Sequence, residues 1–136
     1  IREALENILL LPKVAEKIRY SQGPRVYVAN LMTQPGETDG MDILQHVEWI
    51  ERVAGVAPDF VIVNEEDIPL ACLEAYRNQG ALPLYLDTEQ ERKLLTKGCQ
   101  IIRGNYVKVY EKSVIRHNGQ ALSETLMRIC RDLKEV

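Results

Sequence analysis

Apolar residues fall along this chain in two alternating patterns, short runs rich in β-branched and aromatic side chains and longer stretches with apolar positions at helical spacing. The run from Arg25 to Met32 predicts a strand over residues 26–31 buried on both faces, and Phe60-Val61-Ile62-Val63 predicts a second. Between them Ile43, Val47, Ile50 and Ala54 recur at helical spacing, which predicts a helix from about 42 closed by Gly55. Asp67 and Pro69 open a further helix that ends at Gly80. Leu84-Tyr85-Leu86 reads as a short third strand, Asp87 caps a helix over 88–95, and Gly98 stops it before the strand Gln100-Ile101-Ile102. Strands and helices that alternate in this way predict an α/β fold with a mainly parallel sheet flanked by helices. Asn30, Asn64 and Asp87 would then share the edge formed by the carboxyl ends of the strands.

The two ends of the chain carry weaker patterns. Residues 1–7 read as helical, and Pro12 restarts a helix to about 20, because proline suits a first turn and not an interior. Tyr106-Val107-Lys108-Val109-Tyr110 alternates as a short strand, and Val114-Ile115-Arg116-His117 is another apolar run. Asn118-Gly119 then turns into a last helix striped by Leu122, Leu126, Ile129 and Leu133.

The polar, turn-rich stretch from Thr33 to Gly40 lies between the first strand and the first helix of the alternation. In an open α/β sheet that is where ligands usually bind. The same stretch also reads as a βα turn with Asp39 or Asp42 as the helix N-cap. Glu37 and Asp39 would repel a bare diphosphate, so they suit sugar hydroxyls, a hydrated Mg²⁺ or simple capping.

Composition narrows the function classes. The 136 residues suit one compact domain, and 17 basic against 20 acidic residues leave a net charge of −3 with no basic run to track a phosphate backbone, which disfavours nucleic acid. No apolar stretch reaches the roughly 18 residues needed to cross a bilayer. Cys72, Cys99 and Cys130 are widely spaced, which indicates neither a disulfide framework nor a zinc site, and Cys72 and Cys130 read as packing residues within helices. The opening Ile1-Arg2-Glu3-Ala4 has no initiator Met and no signal-peptide pattern, so a piece of a longer protein is expected.

Several familiar chemistries lack their motif. The loop has no Gly-x-x-x-x-Gly-Lys-[Ser/Thr] pattern, no Gly-x-Gly-x-x-Gly occurs, and Ser21, Ser113 and Ser123 stand in no nucleophile elbow. His46 and His117 have no Cys or carboxylate at metal-ligand spacing, so each is expected to be a satisfied or exposed histidine. Arg116 ends a strand-like run before a turn, from which its donors reach a phosphate or carboxylate, or a surface ion pair.

The stretch Val26-Tyr27-Val28-Ala29-Asn30-Leu31-Met32-Thr33-Gln34-Pro35-Gly36-Glu37-Thr38-Asp39-Gly40 closely resembles the signature of the bacterial gluconeogenesis-factor family. That family belongs to the 2-phospho-L-lactate transferase (CofD-like) superfamily. Asn7-Ile8-Leu9-Leu10 is similar to its Pro-Asn-Leu-Leu segment, Val61-Ile62-Val63-Asn64 matches as well, and Val114-Ile115-Arg116-His117-Asn118 is similar to its Ile-Arg-His-Asp ending. The resemblance covers nearly the whole chain as the carboxyl-terminal half of such a protein. The family's glycine-rich Gly-Gly-Gly-Thr-Gly loop and its Gly-Pro-Gly-Ser-Leu-Tyr-Thr loop have no counterpart in residues 1–136. Glu6 stands for the family's proline and Asn118 for its aspartate.

What the resemblance implies is a Rossmann-like fold, a cytoplasmic location and a nucleotide-sugar ligand of the UDP-N-acetylglucosamine type. It also implies a role in carbon-source adaptation and in cell-shape or cell-wall control. By position it places Asn7, Asn30, Thr33, Gln34, Glu37, Thr38 and Arg116 along the ligand cleft, with Arg116 facing the phosphates. No catalytic residue is implied, no cofactor is certain, and Mg²⁺ would accompany the nucleotide-sugar diphosphate. Neither nucleic acid nor membrane insertion is expected, and a homo-oligomer stays open. Two other readings stay open beside it: a phospholactate transferase-like enzyme using a nucleotide-activated donor, and a non-catalytic interaction module.

Overall fold

The computed structural model describes residues 12–36 and 40–134. The first described helix, α1 (Pro12–Arg19), begins at the proline that the sequence marks as a restart. Its last carbonyls are held by Arg25, whose Nε donates to Ile18 O at 2.6 Å while Nη2 donates to Arg19 O and Ser21 O. A cation at that end of a helix also meets the negative pole of its dipole.

Three strands, β1 (Val26–Val28), β2 (Phe60–Asn64) and β3 (Gln100–Gly104), lie side by side in that order and run parallel. Val26 pairs with Phe60 and Val61 with Ile101. Because side chains alternate across a strand, the central β2 serves two cores. Val61 and Val63 face a cluster with Ile43, Leu44 and Val47 of α2 (Ile43–Ala54) and Leu94 of α4 (Thr88–Thr96). Ile62 packs on the opposite face with Tyr106 and with Ile129 of α5 (Gly119–Lys134). The expected α/β fold with a parallel sheet flanked by helices is therefore present. No helix among the described residues is long and apolar enough to cross a membrane.

Both α2 and α4 start where the acidic caps stand. Asp42 accepts from Gln45 N at 2.7 Å while Gln45 Oε1 accepts from Asp42 N at 2.9 Å, a reciprocal capping box. Gly55 closes α2 at φ 83°. Asp42 is thus the N-cap, and the alternative Asp39 lies outside the described residues, as does the helix expected over 1–7. Asp42→Ala should cost about 1 kcal/mol in a urea melt, because it removes one acceptor from the helix start. Asp87 caps α4 in the same way, accepting from Gln90 N at 2.7 Å, and this hydrogen bond holds its carboxyl below the ordinary value.

Four expectations need correction. The strand expected over 26–31 ends at Val28. Ala29 N still donates to Ile62 O at 2.9 Å, but beyond it the chain leaves β2 to meet the segment after α3 (Leu70–Arg77). That segment contains the strand expected at 84–86, which does not form: only an antiparallel bridge joins Met32 to Pro83, with Leu84 N donating to Leu31 O at 2.9 Å. Pro83 has no N–H to extend a ladder, so Asp87 follows an irregular segment rather than a sheet strand. Leu84 and Leu86 nevertheless keep their place in the core.

The last helix buries a different stripe from the one expected. Leu122 packs inward and Ile129 is buried, but Thr125 takes the inward position between them at 3% exposure while Leu126 is 37% exposed. Thr125 tolerates burial because its hydroxyl donates to Ala121 O at 3.1 Å and meets Tyr106 Oη at 2.9 Å. The Leu133 side chain lies outside the described part. On the same helix Cys130 is exposed rather than a packing residue, whereas Cys72 in α3 is buried as expected.

Candidate functional site

Two pieces of backbone far apart in sequence meet at the carboxyl end of β1. One is the stretch leaving β1, Ala29 to Gln34. The other is β5 (Val114–His117), the second arm of an antiparallel hairpin whose first arm is β4 (Val107–Tyr110). A turn over Glu111–Ser113 joins the arms, with Ser113 in the left-handed region at φ 60°.

Hydrogen bonds anchor β5 on both sides of Arg116. The Tyr76 hydroxyl of α3 accepts from Ile115 N at 3.1 Å and donates back to Ile115 O at 3.4 Å. His117 Nε2 lies 3.0 Å from Ala29 O, and since a carbonyl only accepts, that nitrogen carries the hydrogen. Asn118 N then donates to Tyr106 O, and Asn118 Oδ1 accepts from Ala121 N, so asparagine caps α5 where the resemblance has an aspartate.

The result is a shallow cleft of about 170 Å³ whose lining includes Asn30, Thr33, Gln34, Tyr76, Arg116 and His117. Of the residues placed by resemblance, Asn30, Thr33, Gln34 and Arg116 are brought together here. Asn7, Glu37 and Thr38 lie outside the described residues.

The four do not offer equal chemistry. Thr33 is buried, its N donates to Leu82 O at 2.8 Å, and its hydroxyl accepts from Leu82 N at 2.9 Å, so it mainly clamps the loop base. Arg116 is exposed and forms no ion pair among the described residues, its Nη1 donating only to Ile115 O at 3.0 Å. The guanidinium therefore keeps donors available for an anion.

Tyr76 and His117 line the cleft although the chain's pattern did not single them out as binding residues, and Lys108 stands beside it with its ammonium 5.4 Å from the centre of the Tyr110 ring. Lys108 is the direct partner of Arg116 across the hairpin, so both side chains project from one face. Like charges opposed in this way repel, and an anion above the hairpin relieves that repulsion. The alternation of residues 106–110 hinted at the strand, but only its register with β5 shows which residue faces Arg116.

Two residues expected at the strand-end edge have structural roles instead. The Asn64 amide Oδ1 accepts from Glu66 N at 3.2 Å and Tyr106 N at 3.0 Å, and its Nδ2 donates to Glu66 O at 3.0 Å. Asp87 is the α4 cap. No group of three or more His, Cys, Asp and Glu able to hold a metal is present among the described residues.

Comparison with known proteins gives a consistent set of relatives. The family model described as 2-phospho-L-lactate transferase CofD matches residues 5–107. The chain is 33% identical over 125 residues to the gluconeogenesis factor of Bacillus subtilis, covering 91% of this chain and 38% of that protein. It is 34% identical over 120 residues to the gluconeogenesis factor of Halalkalibacterium halodurans, covering 88% and 36% respectively. A Deinococcus radiodurans relative is 36% identical over 123 residues, which amount to 89% of this chain and 24% of the relative. A crystal structure of a UPF0052 family member from Bacillus halodurans superposes with a TM-score of 0.79 at 34% identity, over 90% of this chain and 38% of that one. The chain thus spans between about a quarter and two-fifths of the length of these relatives.

Proposed function

The chain belongs to the family of 2-phospho-L-lactate transferase CofD, and from that premise we propose that it forms one wall of a nucleotide-sugar site in a cytoplasmic regulatory protein. The ligand is of the UDP-N-acetylglucosamine type, and the protein links its binding to gluconeogenic growth and to cell-shape or cell-wall control. One observation carries the reading: Asn30, Thr33 and Gln34 from the end of β1 and Arg116 from β5 line a single cleft. Relatives at about a third identity bear the name gluconeogenesis factor, which supports the growth role.

In this reading Arg116 and Lys108 balance the diphosphate, while Asn30 and Gln34 hydrogen-bond hydroxyls or carbonyls of the ligand. Thr33 holds the loop at the height of the cleft. Mg²⁺ would arrive with the diphosphate.

The family model's own description favours a second reading, a phospholactate transferase-like enzyme with a nucleotide-activated donor. Calorimetry on the full gene-encoded protein separates the two. Saturable heat with UDP-N-acetylglucosamine and no product from a guanosine-linked phospholactate and a deazaflavin is the expected outcome. Product formation supports the enzyme instead, and recognition of neither ligand leaves an interaction module.

A further inference from the structure

Ile115 lines the cleft, and two side chains donate to its carbonyl. Arg116 Nη1 does so at 3.0 Å and the Tyr76 hydroxyl at 3.4 Å. A carbonyl oxygen has two lone pairs and holds both. The shares are unequal. The guanidinium stands at an ordinary N–H···O distance, whereas 3.4 Å is longer than the roughly 2.5–3.0 Å usual for a hydroxyl donor. Arg116 is therefore the main donor to this oxygen and Tyr76 the weaker one.

Tyr76 is placed to take the larger share. Its oxygen accepts from Ile115 N at 3.1 Å, which keeps the hydroxyl beside the Ile115 backbone. Its ring packs against a cluster drawn from both walls of the cleft, with Leu31 and Met32 from the stretch after β1 and Ile115 from β5. Its own carbonyl accepts from Gln79 N at 3.0 Å and from Ala81 N at 2.9 Å, which fixes the backbone at the end of α3. Ring and backbone are both held, and the hydroxyl hydrogen turns without moving either.

The Ile115 carbonyl needs a donor. Ile115 is 4% exposed, so water has little access to that oxygen, and a buried acceptor left without a partner pays its desolvation in full. An anion that draws Arg116 toward itself takes the main donor away. The Tyr76 hydroxyl, already within reach of the same oxygen, replaces it by a small approach.

We propose that Tyr76 is a positioning residue of the nucleotide-sugar site. As the Arg116 guanidinium turns from the Ile115 carbonyl to the phosphate oxygens of the ligand, the Tyr76 hydroxyl takes over that carbonyl and so releases Arg116 for binding. The inference rests on the reading of the cleft as a nucleotide-sugar site and adds to it the residue that makes Arg116 available.

Tyr76→Phe keeps the ring and removes the oxygen alone. Arg116 then leaves behind a carbonyl with no donor, so the affinity for UDP-N-acetylglucosamine should fall about three- to tenfold. Ile115 N also loses its acceptor, but it does so with and without ligand, so that loss lowers the melt and cancels from the affinity. In Arg116→Ala no guanidinium has to leave, and adding Tyr76→Phe to it should change the affinity by less than about twofold. Calorimetry on the full gene-encoded protein, both single variants and the double variant closes this cycle. Equal weakening by Tyr76→Phe in both backgrounds, the mark of a residue that only holds β5 in place, overturns the exchange, and so does an unchanged affinity in Tyr76→Phe. Either result leaves the nucleotide-sugar reading standing. Absence of saturable binding by the wild type removes that reading and the exchange together.

Discussion

Arg116→Ala should weaken UDP-N-acetylglucosamine binding by about 10- to 100-fold in calorimetry while the melting temperature stays nearly unchanged. A hydrogen bond to a charged group contributes roughly 1.5–3 kcal/mol, and each 1.4 kcal/mol is about tenfold in affinity. Stability should survive because Arg116 is exposed and makes only a short local contact to Ile115 O. The strand it rides on is held by Tyr76 and His117, which the substitution leaves in place. Arg116→Lys should fall between the two, since it keeps the charge but loses the planar fork. Unchanged affinity in Arg116→Ala would remove this residue from the site. Loss of affinity together with a collapsed melt would show that it acts through the fold.

The second large effect is expected at Asn64, and it falls on stability. Asn64→Ala removes the acceptor of Tyr106 N and Glu66 N and the donor to Glu66 O. Leaving a buried donor without a partner costs roughly 1–3 kcal/mol, so the substitution should cost about 2–4 kcal/mol and lower the melting temperature by on the order of 10 °C. Asn64→Asp retains an oxygen for both amides but sets a carboxylate oxygen against Glu66 O in a buried site, so it should destabilise as well. Equal melts for wild type and Asn64→Ala would show that water replaces the amide there. The position matters because Tyr106, which Asn64 fixes at its backbone, begins the hairpin that carries Arg116 and provides the hydroxyl that meets Thr125.

Particular elements show why some of this architecture was legible in the chain and some was not. Asp42 and Asp87 announce α2 and α4 because a cap works through residues three positions away, and Gly55 announces an end because its φ of 83° suits glycine. Phe60 to Val63 reads as a strand because it is apolar on both faces, which the central position of β2 requires. Leu84-Tyr85-Leu86 is also apolar and aromatic and is no strand. Its partner is the stretch after β1, and Pro83 interrupts the ladder between them. Leu126 and Thr125 exchange their expected places for a similar reason, since the hydroxyl of Tyr106 makes a buried threonine acceptable.

The sequence by itself determined the α/β alternation, the parallel sheet with helices on its faces, the family, and Asn30, Thr33, Gln34 and Arg116 as candidates for one site. The alternation and the sheet follow from periodicity, caps and turn residues, and the family and the site candidates from the resemblance carried by Val26 to Gly40 and Val114 to Asn118. Only the tertiary structure decided that β5 folds back beside the end of β1, that Lys108 faces Arg116, and that Thr33 and Asn64 hold backbone. It alone set the Tyr106 hydroxyl against a buried Thr125. Those facts rest on register and on hydrogen bonds between residues tens of positions apart, and such pairings leave no periodic trace in either partner's own stretch of chain.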